Sequence, residues 1–359
     1  LLITETNVPH KENISYFGDG GDEAHMVYQF SLPPLVLQSF LTQDASTLTR
    51  WAADLRFPGG GSAFFNFLAS HDGIGLLPAC GLLTQAQLDV LAEGTKERGG
   101  LISYKKTNQG AVPYELNISY LSAVTGPADP PALKARKFLA SQAVMLAFRG
   151  VPGIYAHSLL GSENDHEGVE KTGSSRAINR RKLRLREIER ELAQDGGLRR
   201  LVYEGYARLL KARSSHPAFH PQAEQRVLKA DARLFALVRG GGGVPGGADE
   251  GSGTGGPGAA GGKRGADAPG NEGEGSGGGP GVPGGKSGGG PIICIHNVSG
   301  TAADFCCSAE KLGSAPGGSL RDVITGRMFA GADAWKAGIL RLRLEPYEVL
   351  WLLPADEEV

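Results

Sequence analysis

One pattern constrains the first two-thirds of this 359-residue chain. Short apolar runs, of the length a buried strand needs, alternate with segments of helical period. Leu1-Leu2-Ile3-Thr4 reads as a buried strand closed by Glu5, after which Pro9 keeps the chain out of helix. Ser15 to Gly21 is a glycine-rich loop, and Met26 to Leu32 is a second strand. Pro33-Pro34 opens a helix to about Leu41, since proline suits a first helical turn. Ala45 to Leu55 is helical, with Leu48, Trp51, Ala52 and Leu55 on one face. A third strand begins at Ala63. Thr84 to Arg98 is helical with Thr84 as N-cap, and Gly99 to Pro113 reads as a long loop. Ala132 to Phe148 is an apolar helix, and Val151 to Ala156 a short strand. Gly161 to Arg180 is a polar loop, and a charged helix starts near Arg181.

Strand and helix thus alternate four times, which argues for parallel βα units. Four units make half of a (β/α)₈ barrel. Half a barrel has two open edges and an uncovered inner face, so it cannot bury its core alone. The third strand ends on chemistry. In AFFNFLASHDGIGL, from Ala63 to Leu76, an apolar run stops at Ser70, His71 and Asp72, and Gly73 and Gly75 let the backbone turn sharply. A His-Asp pair at a strand end suits the catalytic rim of a barrel. A plain polar turn is the alternative, because Asp-Gly is common in turns.

From Arg226 the pattern changes to strands. Val227-Leu228 and Leu234 to Val238 suggest a hairpin, Ile292 to Ile295 resumes the pattern, and Leu340, Leu342 and Leu344 alternate. Between them, residues 240–291 are glycine-dominated, lack the strict triplet of collagen, and hold too few apolar residues to fold. This segment is expected to loop out, disordered, between two strands of one small β domain. The expected organisation is therefore α/β: residues 1–222 as half of a (β/α)₈ barrel, with 223–239 and 292–359 as an all-β domain.

The net charge of −1 and pI near 6.8 point to neither nucleic acid nor membrane as partner. The basic run from Arg176 to Arg190 is interleaved with Glu187, Glu189 and Glu191, which favours helix-surface pairs over a one-sign patch. Cys80, Cys294, Cys306 and Cys307 have no metal-ligand spacing. Cys306 and Cys307, as strand neighbours, point to opposite faces. They read as small apolar residues or free thiols, which fits a reducing compartment. No apolar run spans a bilayer and no signal peptide is visible. The chain starts with Leu1 in mid-strand, and Met26 lies inside an apolar segment. A fragment, or a gene model missing its front, is expected, with an intracellular site in cytoplasm or plastid.

Three stretches, LLITETNVPHKENISYFG, FLASHDGIGL and SSRAINR, resemble the α-amylase superfamily, glycoside hydrolase family 13. They are most similar to its sucrose phosphorylase branch, and ETNVPHKEN is closer to the glucosylglycerate and sucrose 6′-phosphate phosphorylases within it. The resemblance covers most of residues 1–239 and resumes more weakly after 291. It implies that residues 1–222 are the C-terminal half of the barrel, strands five to eight, and that the mechanism is a retaining one with three carboxylates. Glu5 matches the acid/base and Asp72 the transition-state stabiliser. His71 matches a histidine on the glucosyl ring, and Arg176 an arginine near the glucosyl or phosphate site. Tyr114, Glu115 and Asn117 lie in a stretch that matches an acceptor-binding loop. The matching nucleophile is absent from the chain, so the chain as written is expected to be inactive.

The physical chemistry agrees with these roles. Retaining transfer needs two carboxyl groups about 5 Å apart, one of them held protonated. Phosphate as acceptor needs a cation, and arginine's forked donors suit an oxyanion. Glu5 could instead be a structural acid, and Arg176 a surface partner of Glu170 or Asp165. The implied partners are an α-glucoside (glucosylglycerate, sucrose or sucrose 6′-phosphate) and inorganic phosphate, with no metal and no organic cofactor. A family 13 hydrolase or transglucosidase, and a non-catalytic carbohydrate-binding remnant, are the competing readings.

Overall fold

Four parallel strands carry the first part of the molecule. They are Ile3–Thr4, Met26–Tyr28, Ala63–Asn66 and Val151–Pro152, hydrogen-bonded side by side in chain order. The computed structural model describes residues 1–19, 21–59, 61–108, 110–240 and 290–355. The glycine-rich stretch expected to be disordered lies outside the described residues except for Gly240, Gly290 and Pro291.

Helices cover one face of this sheet. Leu32–Thr42 starts with Pro33 and Pro34 in its first turn, where their missing N–H groups cost nothing. Pro131–Ala147 is buried along its second half, from Ala140 to Ala147. It packs against Leu198–Ser214. Gln85–Glu97 is capped by Thr84, whose hydroxyl accepts from the Gln87 backbone N–H while the Gln87 side chain accepts from the Thr84 N–H. The helix side of the sheet is filled by Val27 and Phe64, both fully buried. The opposite face carries Met26, Tyr28 and Phe65, which stay half-exposed, with the Tyr28 and Phe65 rings 4.6 Å apart.

Residues 225–239 and 292–354 build two antiparallel sheets. The larger has six strands in the order Met328–Phe329, Leu320–Asp322, Val349–Pro354, Ile292–Asn297, Leu234–Arg239, Gln225–Leu228. The smaller joins Ala303–Ser308, Ile339–Leu344 and Trp335–Lys336. One face of the six-stranded sheet packs on the smaller sheet through Ala236, Val238, Ile293 and Ile295 against Phe305, Leu340 and Leu342. Its other face joins the helical core, with Phe235 stacked on Phe148 and Trp351 against Phe219. Leu234–Arg239 and Ile292–Asn297 are buried at every position because both faces are covered. Smaller-sheet strands alternate instead, so Cys307 is buried and Cys306 exposed.

Several local expectations need correction. Ile3–Thr4 is not a buried strand: Leu1, Leu2 and Ile3 are 87%, 54% and 39% exposed, because the strand lies at the sheet edge. Pro9 does not keep helix away; it precedes the short helix His10–Asn13, for proline bars helix upstream of itself rather than downstream. The loop expected over Gly99 to Pro113 is a β-hairpin, Leu101–Thr107 with Gly110–Asn117. Pro113 hid it, since proline argues against a strand unless a bulge accommodates it. The polar loop before Arg181 contains the helix His166–Thr172, capped by Asp165, and the 3₁₀ turn Ser175–Asn179. The following helix begins at Leu185.

Candidate active site

The site is assembled at the C-terminal ends of the parallel strands by three chain segments. The first is the turn after Ala63–Asn66. Ser70 Oγ accepts from the Asp72 N–H at 3.1 Å, which bends the backbone. Gly73 then passes so close to the hairpin that a Cβ there would lie 2.6 Å from the Leu116 carbonyl and 2.7 Å from Glu115 Cγ. At Gly75 a Cβ would meet the Asn7 side-chain amide at 2.8 Å. These two glycines let three segments approach one another.

The hairpin is the second segment. Its ladder runs Ser103 opposite Glu115, then Tyr104 opposite Pro113, so Tyr114 is the extra residue of a bulge. The bulge frees Tyr114 from the cross-strand register, and its hydroxyl accepts from Asn7 Nδ2 at 3.3 Å. Glu115 and Asn117, two apart, fall on one buried face. Asn117 donates to Ser103 Oγ at 2.9 Å and stays within the hairpin.

Arg176, on the 3₁₀ turn Ser175–Asn179, supplies the third segment. It grips Glu115 with two parallel bonds, Nε to Oε1 at 2.9 Å and Nη2 to Oε2 at 2.6 Å. Its third nitrogen, Nη1, lies 2.8 Å from Asp72 Oδ1. The Glu115 side chain is only 4% exposed, so this fork supplies the charge a buried carboxylate needs. The hydrogen bond to Glu115 in turn holds the Arg176 guanidinium pKa above its ordinary value. Arg176 pairs with neither Glu170 nor Asp165 among the described residues.

Two residues that the sequence reading did not single out complete the cluster. Arg180 Nη2 donates to Asp72 Oδ1 at 3.1 Å, and Asn179 donates to the Ser70 and Asp72 carbonyls. Both stand in SSRAINR, directly after the arginine that was chosen, so the signal was present in the motif. Tyr155 donates to the Asn179 carbonyl at 2.9 Å. Burial pushes the Tyr155 hydroxyl pKa up, with a smaller opposing effect from Arg180.

The expected site residues are thus partly brought together. His71, Asp72, Glu115 and Arg176 form one cluster, with His71 Nε2 3.6 Å from Asp72 Oδ1. Glu5 follows the edge strand Ile3–Thr4, two strands away from Ala63–Asn66, and its side chain is exposed. It bonds to none of those four; its charge is felt at Tyr28, whose pKa is raised by burial first and Glu5 second. Among the described residues no group of three or more His, Cys, Asp or Glu side chains is arranged to hold a metal. No helix among them is long and apolar enough to cross a membrane.

Solved structures share this fold. Sucrose 6F-phosphate phosphorylase from Thermoanaerobacter thermosaccharolyticum superposes with a TM-score of 0.55 at 24% identity, over 66% of this chain and 45% of that one. AmyP in complex with maltose gives 0.54 at 13% identity, over 99% and 56%. No protein-family model matches the chain. These neighbours are (β/α)₈ barrel enzymes of the α-amylase superfamily, and the likeness to them is one of fold. Curated relatives resolve the branch. The chain is 59% identical over 239 residues to glucosylglycerate phosphorylase of Spirochaeta thermophila, 49% over 240 to that of Escherichia coli, and 32% over 223 to sucrose phosphorylase of Agrobacterium vitis. These matches take in 67%, 67% and 58% of this chain. The chain belongs to the sucrose phosphorylase branch of that superfamily. It spans 40 to 43% of the length of these three relatives.

Proposed function

We propose that this chain carries part of the machinery of a retaining α-glucoside phosphorylase acting on glucosylglycerate. Residues 1–222 serve as strands five to eight of the barrel with their helices. Residues 223–239 and 292–359 form an all-β domain, and 240–291 an insertion within it. Glu5 is the acid/base, protonating the leaving oxygen and later activating phosphate. Asp72 stabilises the charge of the oxocarbenium-like transition state. His71 contacts the glucosyl ring, and Tyr114, Glu115 and Asn117 shape the acceptor side.

The observation that carries the reading is Arg176. One guanidinium joins the Asp72 turn to the buried Glu115 of the hairpin, so motifs far apart in sequence meet at one cation. A cation beside the stabilising carboxylate is what an incoming phosphate requires. The preference for glucosylglycerate over sucrose follows identity, 59% against 32% for the two kinds of relative.

The nucleophilic aspartate is to come from sequence this chain does not contain. The chain alone should therefore release no glucose 1-phosphate. Joining it behind the part of the Spirochaeta thermophila phosphorylase that it does not cover should give phosphate-dependent release from glucosylglycerate. In that chimera, Glu5→Gln and Asp72→Asn should each lower kcat by at least about 10³-fold, since each removes a transition-state interaction. Glucosyl release at a rate indifferent to phosphate would instead favour a hydrolase or transglucosidase.

A further inference from the structure

The Ser70-His71-Asp72 turn has little of its own to hold it. It begins four residues beyond the last strand residue, Asn66, and its one internal hydrogen bond is Asp72 N–H to Ser70 Oγ, beside the longer His71–Asp72 contact at 3.6 Å. Yet all three of its carbonyls are occupied from outside, by two neighbouring side chains. Asn179 Nδ2 donates to Ser70 O at 3.2 Å and to Asp72 O at 2.8 Å. Arg180 Nε donates to His71 O at 2.6 Å, while its Nη2 reaches Asp72 Oδ1. We propose that Asn179 and Arg180 are the positioning residues of Asp72, reading three consecutive carbonyls of its turn and so aiming its carboxylate.

The chemistry at each position supports this. Asn179 is 7% exposed, and its Oδ1 is buried without a hydrogen-bond partner. Rotating the amide would set that oxygen against two carbonyl oxygens, so the donors fix its orientation. Leaving a buried acceptor unpaired is costly, and only the two bonds made by Nδ2 offset it. The Asn179 main chain is pinned in turn by Tyr155. Arg180 divides its donors between the backbone and the carboxylate of the same segment, which locks Asp72 at both ends. Arg176 and Arg180 both approach Oδ1, at 2.8 and 3.1 Å. Asp72 Oδ2 has no protein partner among the described residues, and is the oxygen presented to a sugar hydroxyl. Arg180 thus differs from Arg176, whose fork faces a buried carboxylate across the site.

The activity arm of the test rests on the phosphorylase reading; the other arm does not. Asn179→Asp keeps the shape and removes both donors. Arg180→Gln removes the charge and the fork at a half-exposed side chain, so one variant remains if the other fails to fold. In the chimera each should lower kcat by about 10²-fold or more, as a misaimed group does, with the phosphate KM within about threefold of the parent. Arg180→Lys, which restores charge but not the fork, should recover roughly tenfold of that loss. A raised phosphate KM at unchanged kcat would make Arg180 a phosphate ligand and overturn the proposal, as would unchanged kinetics in both variants. In the full chain, NMR order parameters of the His71 and Asp72 amides should fall from rigid values near about 0.85 to below about 0.6 in the variants. If those order parameters hold, the proposal is wrong whether or not the chimera is active. An inactive parent chimera with mobile turns in the variants would count against the phosphorylase reading alone.

Discussion

His296 is fully buried where the six-stranded sheet meets the helical core, and among the described residues it has no charged partner. Its Nδ1 faces the Phe235 carbonyl at 3.1 Å, and its Nε2 accepts from the Trp351 indole N–H at 3.2 Å. That pair of contacts fixes the neutral tautomer with hydrogen on Nδ1. Burial disfavours a second ring proton and is the main cause that lowers the His296 pKa to about 4, outweighing backbone hydrogen bonding at Phe235 and Ala143, which favours the protonated ring. The unfolded chain takes up that proton near pH 6.5 and the folded one does not, so the unfolded state binds more protons in between. Stability contributed by His296 is therefore complete above about pH 6.5 and is lost as the pH falls towards 4, by of order 3 kcal/mol. Urea unfolding of the full chain at pH 7 and pH 4.5, compared with His296→Gln, should show a steeper decline in the parent. Equal declines would assign the acid sensitivity to other groups. The sequence offers no sign of this residue's role, because ICIHN reads as any apolar strand with a polar end. Burial of a lone histidine is a tertiary fact. The same holds for Glu115, whose motif marked it for an acceptor loop, while its fork with Arg176 depends on a hairpin the periodicity did not reveal.

At the scale of elements, what the sequence disclosed depended on how far local pattern and packing agree. Helices with strong apolar stripes or clear caps, such as Gln85–Glu97 behind Thr84, were legible. The hairpin was not, because Pro113 contradicts strand and only the bulge at Tyr114 admits it. The strands flanking the glycine-rich stretch were legible as strands, and their pairing adds a consequence. Leu234–Arg239 and Ile292–Asn297 are antiparallel neighbours with Arg239 opposite Ile292. Residues 240–291 thus connect two positions already side by side, a gap that a two-residue hairpin turn can close. Replacing them with Asn-Gly should leave the fold intact. Closing about fifty fewer residues lowers the loop-closure cost by up to about 3 kcal/mol. The full chain and the shortened one can be compared by urea denaturation. A rise in midpoint with an unchanged slope is the expected result; a fall would mean that the removed residues hold the sheet together.

Over the whole molecule, alternation of strand and helix correctly conveyed four parallel strands, but it could not convey how their edges would be finished. The two edges of that sheet differ. Val151–Pro152 ends in a proline, which has no N–H to offer another strand. Ile3–Thr4 has no such guard: it pairs with Met26–Tyr28 on one side and with no described strand on the other. Leu1, Leu2 and Ile3 stand exposed there. The sheet face bearing Met26, Tyr28 and Phe65 is also only half covered, whereas the helix face beneath Val27 and Phe64 is closed. Unpaired backbone beside exposed apolar side chains is a template for another chain. The full chain by itself should therefore self-associate at micromolar concentration, seen as a concentration-dependent sedimentation coefficient. Leu2→Lys with Ile3→Lys should suppress the association, because charge on an edge strand opposes strand addition without touching the helical core. In the chimera, added barrel strands would occupy the same edge, and the protein should sediment as one species over the same range. A chain that stays monomeric throughout would show that this edge is already satisfied, and the case for barrel strands completing it would then fail on physical grounds.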